Sequence, residues 1–408
     1  MVNLASTSPA WGIACLVAGC ATAYSLRKIP HTDCFHTGRH QNMDGLRGVL
    51  ALIMFICHAA SWQQYLTEKQ WRTSDSPFYI LPGQTGIVIF FMLTGFLFAR
   101  KFLTSKNRTE NWIRLYTSRV LRLVPAYALM LSVLLLVIIF QTLKGHANWA
   151  DCKMMDIISW AAFTIPGAPS LCGYNATIVA VAGVTWSLTY EWTFYSSLPF
   201  LAVLARKRVA LPILILSGLA CIILIRTIPI YTFVYFCFIL GITSAFLDFH
   251  KPSQWLRNSP WAGLLAIALL ITNSLIHNET SYKVSSALII GMAFHIFSSG
   301  NSLYGMLTTR TFQVFGLCTY SLYLFHGLLL YTTLNYLNAE APLFHLKNHI
   351  YWPTIIFLTP ILITISLFIY LKVEHPPMQK LAMTSEITQR IWLRWQRCLL
   401  KNSYFSKK

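Results

Sequence analysis

The chain has 408 residues, 55% of them hydrophobic and only 11% charged, with a formal net charge of +19. A soluble domain carries roughly a quarter charged residues, so a chain this long and this apolar points to the bilayer as its solvent. The excess of Lys and Arg raises nucleic-acid binding as a reading, and the placement of those residues decides against it.

Apolar blocks of the length a spanning helix needs fall at Trp11–Leu26, Asp44–Trp62, Tyr79–Ala99, Val120–Phe140, Trp186–Ala205, Val209–Ile225, Pro229–Leu247, Pro260–Ile276, Val284–Ser298, Thr311–Tyr336 and Trp352–Leu371. The fold class expected is all-α, a polytopic transmembrane bundle. The first block lacks the basic leading residues of a signal peptide and reads as an extra N-terminal span followed by Arg27 and Lys28. Residues 1–43 are then an apolar segment with an inner linker, 44–376 a ten-span core, and 377–408 a tail. In the tail Ile387, Ile391, Trp392, Trp395 and Leu399 alternate with Arg390, Arg394 and Arg397 at helical spacing, as in a basic amphipathic helix on the inner leaflet. With the loops assigned alternately to two sides, 25 of the 32 basic residues fall on one side and seven on the other. That asymmetry is the positive-inside bias, which puts the C-terminus in the cytoplasm. The charge reports topology.

One outer loop, Gln141–Thr185, is long. Its segment Met154–Ile165 is apolar but too short to span, and is expected to lie in the interface or dip in. It also holds Cys152 and Cys172, which pair only if the loop faces an oxidising compartment. The ten cysteines show no metal-site spacing, and no metal is expected.

Ionisable groups inside spans are costly and mark candidate sites. Arg47 and His58 are eleven residues apart. On a helix that is about 20° from the same face with ~16 Å of rise, so one stripe presents a guanidinium near the cytoplasmic edge and an imidazole deep in the membrane. Separately, Arg47 is an ordinary edge anchor and His58 a packing residue; the alignment favours a joint role. Counting from the inner ends of their spans puts His58, Glu191 and His326 at roughly 21–22 Å, one level on three helices. Such a set transfers protons, in an enzyme or in a proton-coupled carrier. At the inner level Arg119 and Arg122 lie one turn apart ahead of Pro125, and Thr94-Gly95 is near another inner end. The arginines serve either as orientation signal or as phosphate forks; Gly95 admits a neighbouring helix or a ligand.

These residues fall in six segments that together resemble the acyltransferase 3 family of membrane-bound O-acyltransferases. Arg47…His58 is similar to its Arg-x10-His signature, Phe90-Phe91-Met92-Leu93-Thr94-Gly95-Phe96 to Phe-Phe-x-x-Ser-Gly-Phe, and Arg119-Val120-Leu121-Arg122-Leu123-Val124-Pro125 to Arg-x-x-Arg-x-x-Pro. Trp186-Ser187-Leu188-Thr189-Tyr190-Glu191 resembles Trp-Ser-Leu-x-x-Glu, Gly316-Leu317-Cys318-Thr319-Tyr320-Ser321-Leu322-Tyr323-Leu324-Phe325-His326 resembles Gly-x-x-Ser-Tyr-Ser-Leu-Tyr-Leu-x-His, and Glu374-His375-Pro376 the closing Glu-x-Pro. Thr94 and Thr319 replace the usual Ser; the hydroxyl that survives favours a hydrogen-bonding role over a nucleophilic one. The chain stops soon after its last span, so a fused hydrolase-like domain of the kind some members carry is not expected.

The resemblance implies an acyl-CoA donor, usually acetyl-CoA, no permanently bound cofactor, and commonly a carbohydrate acceptor: a surface polysaccharide, an O-antigen sugar or a lipid-linked glycan at a bacterial inner membrane. Combined with the geometry, it assigns His58 as general base, with Glu191 orienting it or holding the sugar. Arg47, Arg119, Arg122 and Thr94 are assigned to the donor, and Ser187, Tyr320 and His326 to the acceptor or the oxyanion. A proton-coupled exporter, a structural subunit and an acyltransferase of small secondary metabolites remain as competing readings.

Overall fold

The computed structural model describes residues 8–29, 41–105, 110–228, 231–340 and 347–380. The amphipathic tail expected beyond residue 380 lies outside them. Among the described residues there is no strand, only an isolated bridge between Leu171 and Tyr174.

The helices run α1 Pro9–Leu26, α2 Gln41–Glu68, α3 Pro77–Thr104, α4 Trp112–Leu143, α5 Met154–Ala161, α6 Thr177–Ala180, α7 Thr185–Leu204, α8 Leu211–Thr227, α9 Thr232–His250, α10 Gln254–Asn258, α11 Pro260–Ile276, α12 Val284–Ser298, α13 Arg310–Leu317, α14 Thr319–Glu340 and α15 Asn348–Ile369. Local chemistry sets several boundaries. Ser8 accepts from the Ala10 amide ahead of Pro9, and Asn111 caps α4 by accepting from the Arg114 amide. After α15 the backbone loosens into a π turn over Tyr370–Glu374 before continuing as helix.

Within the described residues each apolar block is mostly helical, and fewer helices pass the length and hydropathy test than a ten-span core plus one has spans. Among the described residues six helices are long and apolar enough to cross a membrane, or seven if α13 and α14, bent by 66° at their break, count as one. The reasons are physical. At 1.5 Å per residue the 17, 17 and 15 residues of α8, α11 and α12 fall short of a ~30 Å hydrocarbon core. Helix α7 is long enough but carries Glu191 and a run of hydroxyls.

Helices α2 and α3 form the buried centre. Helices α8 and α11 present Leu216, Ile223, Trp261, Ile271 and Leu275 outward, the apolar surface a lipid-facing helix needs. Helix α3 packs backbone to backbone on α9: a Cβ on Gly95 would stand 2.3 Å from the Phe238 carbonyl oxygen, and one on Gly241 1.8 Å from that of Met92. Gly95 therefore admits a helix. The same pair of helices is joined by a buried ion pair, Arg100 to Asp248 at 2.7 Å, so Arg100 serves the packing of α3 on α9.

The long loop is tied by a Cys152–Cys172 disulfide. Helix α5 leaves Met154, Met155 and Ile158 exposed and buries Trp160. Helix α5 and the turn after it are held from both sides: Tyr127 donates to the Trp160 carbonyl at 2.7 Å and Thr189 to the Phe163 carbonyl at 3.2 Å. The apolar segment is thus tucked between α4 and α7.

Candidate functional site

Helix α2 is unbroken from Gln41 to Glu68 and carries Arg47 and His58, so their eleven-residue spacing becomes ~16 Å along one stripe. Around Arg47 three adjoining hollows meet, and Arg47 and Tyr320 stand on the walls of all three. The first, about 150 Å³, is lined by Thr94, Arg119, Arg122, Glu191 and Tyr195. The second, also about 150 Å³, is lined by Asp44, Arg122, Gln313, Tyr370 and Glu374. The third, about 70 Å³, is lined by Ile87, Phe90, Phe91, Ser187, Glu191 and Tyr323.

The first two hollows gather three guanidinium groups from two helices. Asp44 pairs with Arg47 at 3.4 Å, and Arg119 lies 5.0 Å from the centre of the Phe98 ring, a cation–π contact. Glu191 accepts a hydrogen bond from Tyr195 at 2.8 Å. Planar guanidinium forks in a partly enclosed space suit phosphate oxygens. Thr94 lines the same space, although its hydroxyl donates back to the Phe90 carbonyl at 3.1 Å.

Of the two groups that residue counting places at the depth of His58, His326 is the one it meets. Its Nδ1 lies 2.7 Å from Nε2 of His326, with the rings stacked at 25° and centroids 5.0 Å apart. Nδ1 of His326 is in turn 3.2 Å from the Leu322 carbonyl. A carbonyl only accepts, so in the neutral ring the His326 proton sits on Nδ1; its Nε2 then accepts from His58 Nδ1–H, and Nε2 of His58 keeps a free lone pair. The Trp71 ring is 6.2 Å from that of His58. His326 is fully buried and His58 half-buried. Tyr323, on the wall of the third hollow, is one turn before His326 on α14, its ring 6.0 Å away.

Two sequence assignments are corrected. Glu191 does not orient His58: it stands with Arg47, Arg119, Arg122 and Tyr195. Residue counting gives depth only along a straight helix normal to the membrane, whereas α7 carries Pro199 between Glu191 and the inner end from which the count runs. Tyr320 is no oxyanion donor, because its hydroxyl is spent on the Leu123 carbonyl at 3.0 Å. Ser187 reaches the Tyr323 hydroxyl at 2.7 Å, and Tyr323 donates to the Val184 carbonyl at 2.9 Å. The sequence reading passed over three residues of these walls. Tyr195 and Tyr323 look like ordinary aromatic packing, and Glu374, which accepts from Ser321, was quoted only as part of a closing motif.

Residues 40–371 match an acyltransferase domain, the one that defines the acyltransferase 3 group. The chain belongs to the acyltransferase 3 family. Among curated relatives of the family, it is 31% identical over 178 residues to acyltransferase MdmB of Streptomyces mycarofaciens, covering 41% of each chain. It is 25% identical over 178 residues to nodulation protein 10 of Rhizobium leguminosarum bv. viciae, covering 42% of this chain and 46% of that one. The match thus spans less than half the length of these relatives. No solved structure matches the chain.

Proposed function

We propose that this member of the acyltransferase 3 family moves an acyl group, most simply acetyl, from acyl-CoA to a hydroxyl of a glycan, with His58 as general base. The arginine-lined hollows are the donor's phosphate site, and the ~16 Å from Arg47 to His58 is of the order of the pantetheine arm. The observation that carries the reading is the meeting of these two parts. The third hollow starts at Arg47 and ends at Tyr323, one turn from the buried partner of His58.

In this scheme Nε2 of His58 takes the proton of the acceptor hydroxyl as its oxygen attacks the thioester carbonyl. The carbon–sulfur bond breaks, and the leaving thiolate is protonated by the imidazolium. His326 holds the ring in the one tautomer that leaves Nε2 free. Arg47, Arg119 and Arg122 bind phosphate, and Glu191 with Tyr195 fixes the spacing of the guanidinium groups. With the basic end in the cytoplasm, the donor enters there and the acceptor from the end carrying the disulfide, at a bacterial inner membrane. The three short helices and α7 complete a ten-span core with α1 as an extra span.

The test is transfer of label from radiolabelled acetyl-CoA to membrane glycans in cells and vesicles carrying the wild type or His58→Ala. The variant is expected at normal abundance with no transfer; undiminished transfer would reject the assignment.

A further inference from the structure

The turn that joins α2 to α3, residues 69–76, returns to His58 and has no part in the scheme above. We propose that its Trp71 is the outer door of the reaction chamber, displaced by an acceptor alcohol and not by water, so that it decides between transfer and hydrolysis of the thioester. This rests on the acyl-transfer reading and adds to it how water is refused.

The backbone sends the indole back over the base. Helix α2 ends at Glu68; the Lys69 amide donates to the Tyr65 carbonyl at 2.8 Å and Lys69 takes the left-handed conformation, φ 58°, a common way to end a helix. The chain reverses there, and the centre of the Trp71 ring comes 6.2 Å from that of His58 and 5.7 Å from that of Trp62. His58 and Trp62 are one turn apart on α2, so the indole lies along the helix on the side of His58 away from Arg47. That is the disulfide end: Trp62 packs on Tyr331, whose hydroxyl meets that of Tyr174, close in sequence to Cys172. From the other flank, a Cβ on Gly183 would stand 3.7 Å from Trp71 Nε1, so the turn before α7 borders the ring.

The door is fastened lightly. Arg72 forks onto two carboxylates, Glu68 at 2.7 Å and Asp75 at 2.5 Å, and all three side chains belong to exposed residues. The fully buried Gln64 grips the turn from below, donating to the Asp75 carboxylate at 2.8 Å and accepting from the Asp75 amide at 3.0 Å. Exposed ion pairs hold little, so the turn opens at small cost. A bulky alcohol that stacks on the indole supplies that cost from its own contacts, and water has none to offer.

The need for a door follows from the chemistry. A base that takes a proton from an alcohol takes one as readily from water. With water in the acceptor's place, Nε2 of His58 takes its proton and its oxygen bonds the thioester carbonyl carbon. The carbon–sulfur bond then breaks, the thiolate leaves with the imidazolium's proton, and the donor is lost as acetate and CoA. Closed sites prevent such side reactions.

The experiment uses the full chain in nanodiscs with radiolabelled acetyl-CoA and no acceptor, and measures acetate release. Release is expected to rise roughly tenfold or more in Trp71→Ala, about threefold in Arg72→Ala, and to stay within about twofold of wild type in Trp71→Phe. Adding His58→Ala to Trp71→Ala is expected to abolish it. In parallel, diethyl pyrocarbonate modification of His58, mapped by mass spectrometry, is expected to be faster in Trp71→Ala and Arg72→Ala than in wild type. Where thermal unfolding shows Trp71→Ala misfolded, Arg72→Ala, at an exposed position, carries the same test. Acetate release and His58 modification at wild-type rates in the variants overturn the proposal, and so does acetate release that survives the loss of His58. Faster modification of His58 with no acetate released by any variant, and no acetyl transferred by the wild type, keeps the door and sinks the acyl-transfer reading instead.

Discussion

Nδ1 of His58 and Nε2 of His326 stand 2.7 Å apart, while the other nitrogen of His326 faces the Leu322 carbonyl at 3.2 Å. The pair thereby acquires a direction: proton density is fixed toward Leu322, and the basic lone pair is left on His58. The consequence is a division of labour between two histidines that look equivalent in the sequence. In the proposed scheme His58 meets the reacting groups, and His326 positions it.

Substitutions at His326 test that division. His326→Ala removes the acceptor that fixes the His58 tautomer and is expected to lower kcat roughly 10²-fold, the lower end of what a misplaced general base costs. KM for acetyl-CoA should stay within about twofold, since the donor site stands apart on α2, α4 and α7. His326→Gln, whose amide oxygen can accept from His58 Nδ1–H, should recover part of the loss. A rise in donor KM with unchanged kcat would assign His326 to binding.

At the other end of the stripe, Arg47→Ala is expected to raise the Kd for acetyl-CoA roughly tenfold to a hundredfold, the range of one charge-assisted hydrogen bond. Arg122 lines two of the three hollows with Arg47, so Arg122→Ala should act in the same direction, and the double variant should be non-additive. Titration of the purified variants by isothermal calorimetry measures this. Unchanged affinity in both single variants would leave the arginines as topology signals alone.

The Arg47–His58 alignment was legible because helix periodicity is local: eleven residues of one unbroken helix fix both angle and rise. The convergence of Arg119, Arg122 and Thr94 on Arg47 followed from their common position near inner ends. The level of Glu191 was not legible, because counting from Arg206 assumes a straight α7 along the membrane normal, and Pro199 lies on the path. The 66° bend between α13 and α14 is hidden as well, since Cys318 and Thr319 carry no breaker signal. The His58–His326 contact links residues 268 apart in sequence. Equal depth made it conceivable, and only packing selects it over Glu191.

The hydroxyl of Tyr320 offers a sharp contrast between the two readings. As an oxyanion donor it would be worth 10²–10³ in kcat. Bound to the Leu123 carbonyl, it ties α14 to α4, and Tyr320→Phe should cost about 1 kcal/mol of stability while kcat changes less than about threefold. Acetyl-transfer rates and thermal unfolding in the same detergent measure the two quantities separately.

The bridge between Cys152 and Cys172 closes a loop with a sequence separation of 20. Chain entropy values such a closure at about 3 kcal/mol, and the stretch it closes includes α5 and the turn after it, which Tyr127 of α4 and Thr189 of α7 hold. Cys152→Ser with Cys172→Ser is therefore expected to lower the thermal unfolding temperature and to weaken the acceptor side, raising the acceptor KM while the acetyl-CoA Kd stays unchanged. Reductant should reproduce the shift in the wild type and have no further effect on the variant. Alkylation of both cysteines in native membranes without prior reduction would show the bridge absent, and the expected difference would then vanish.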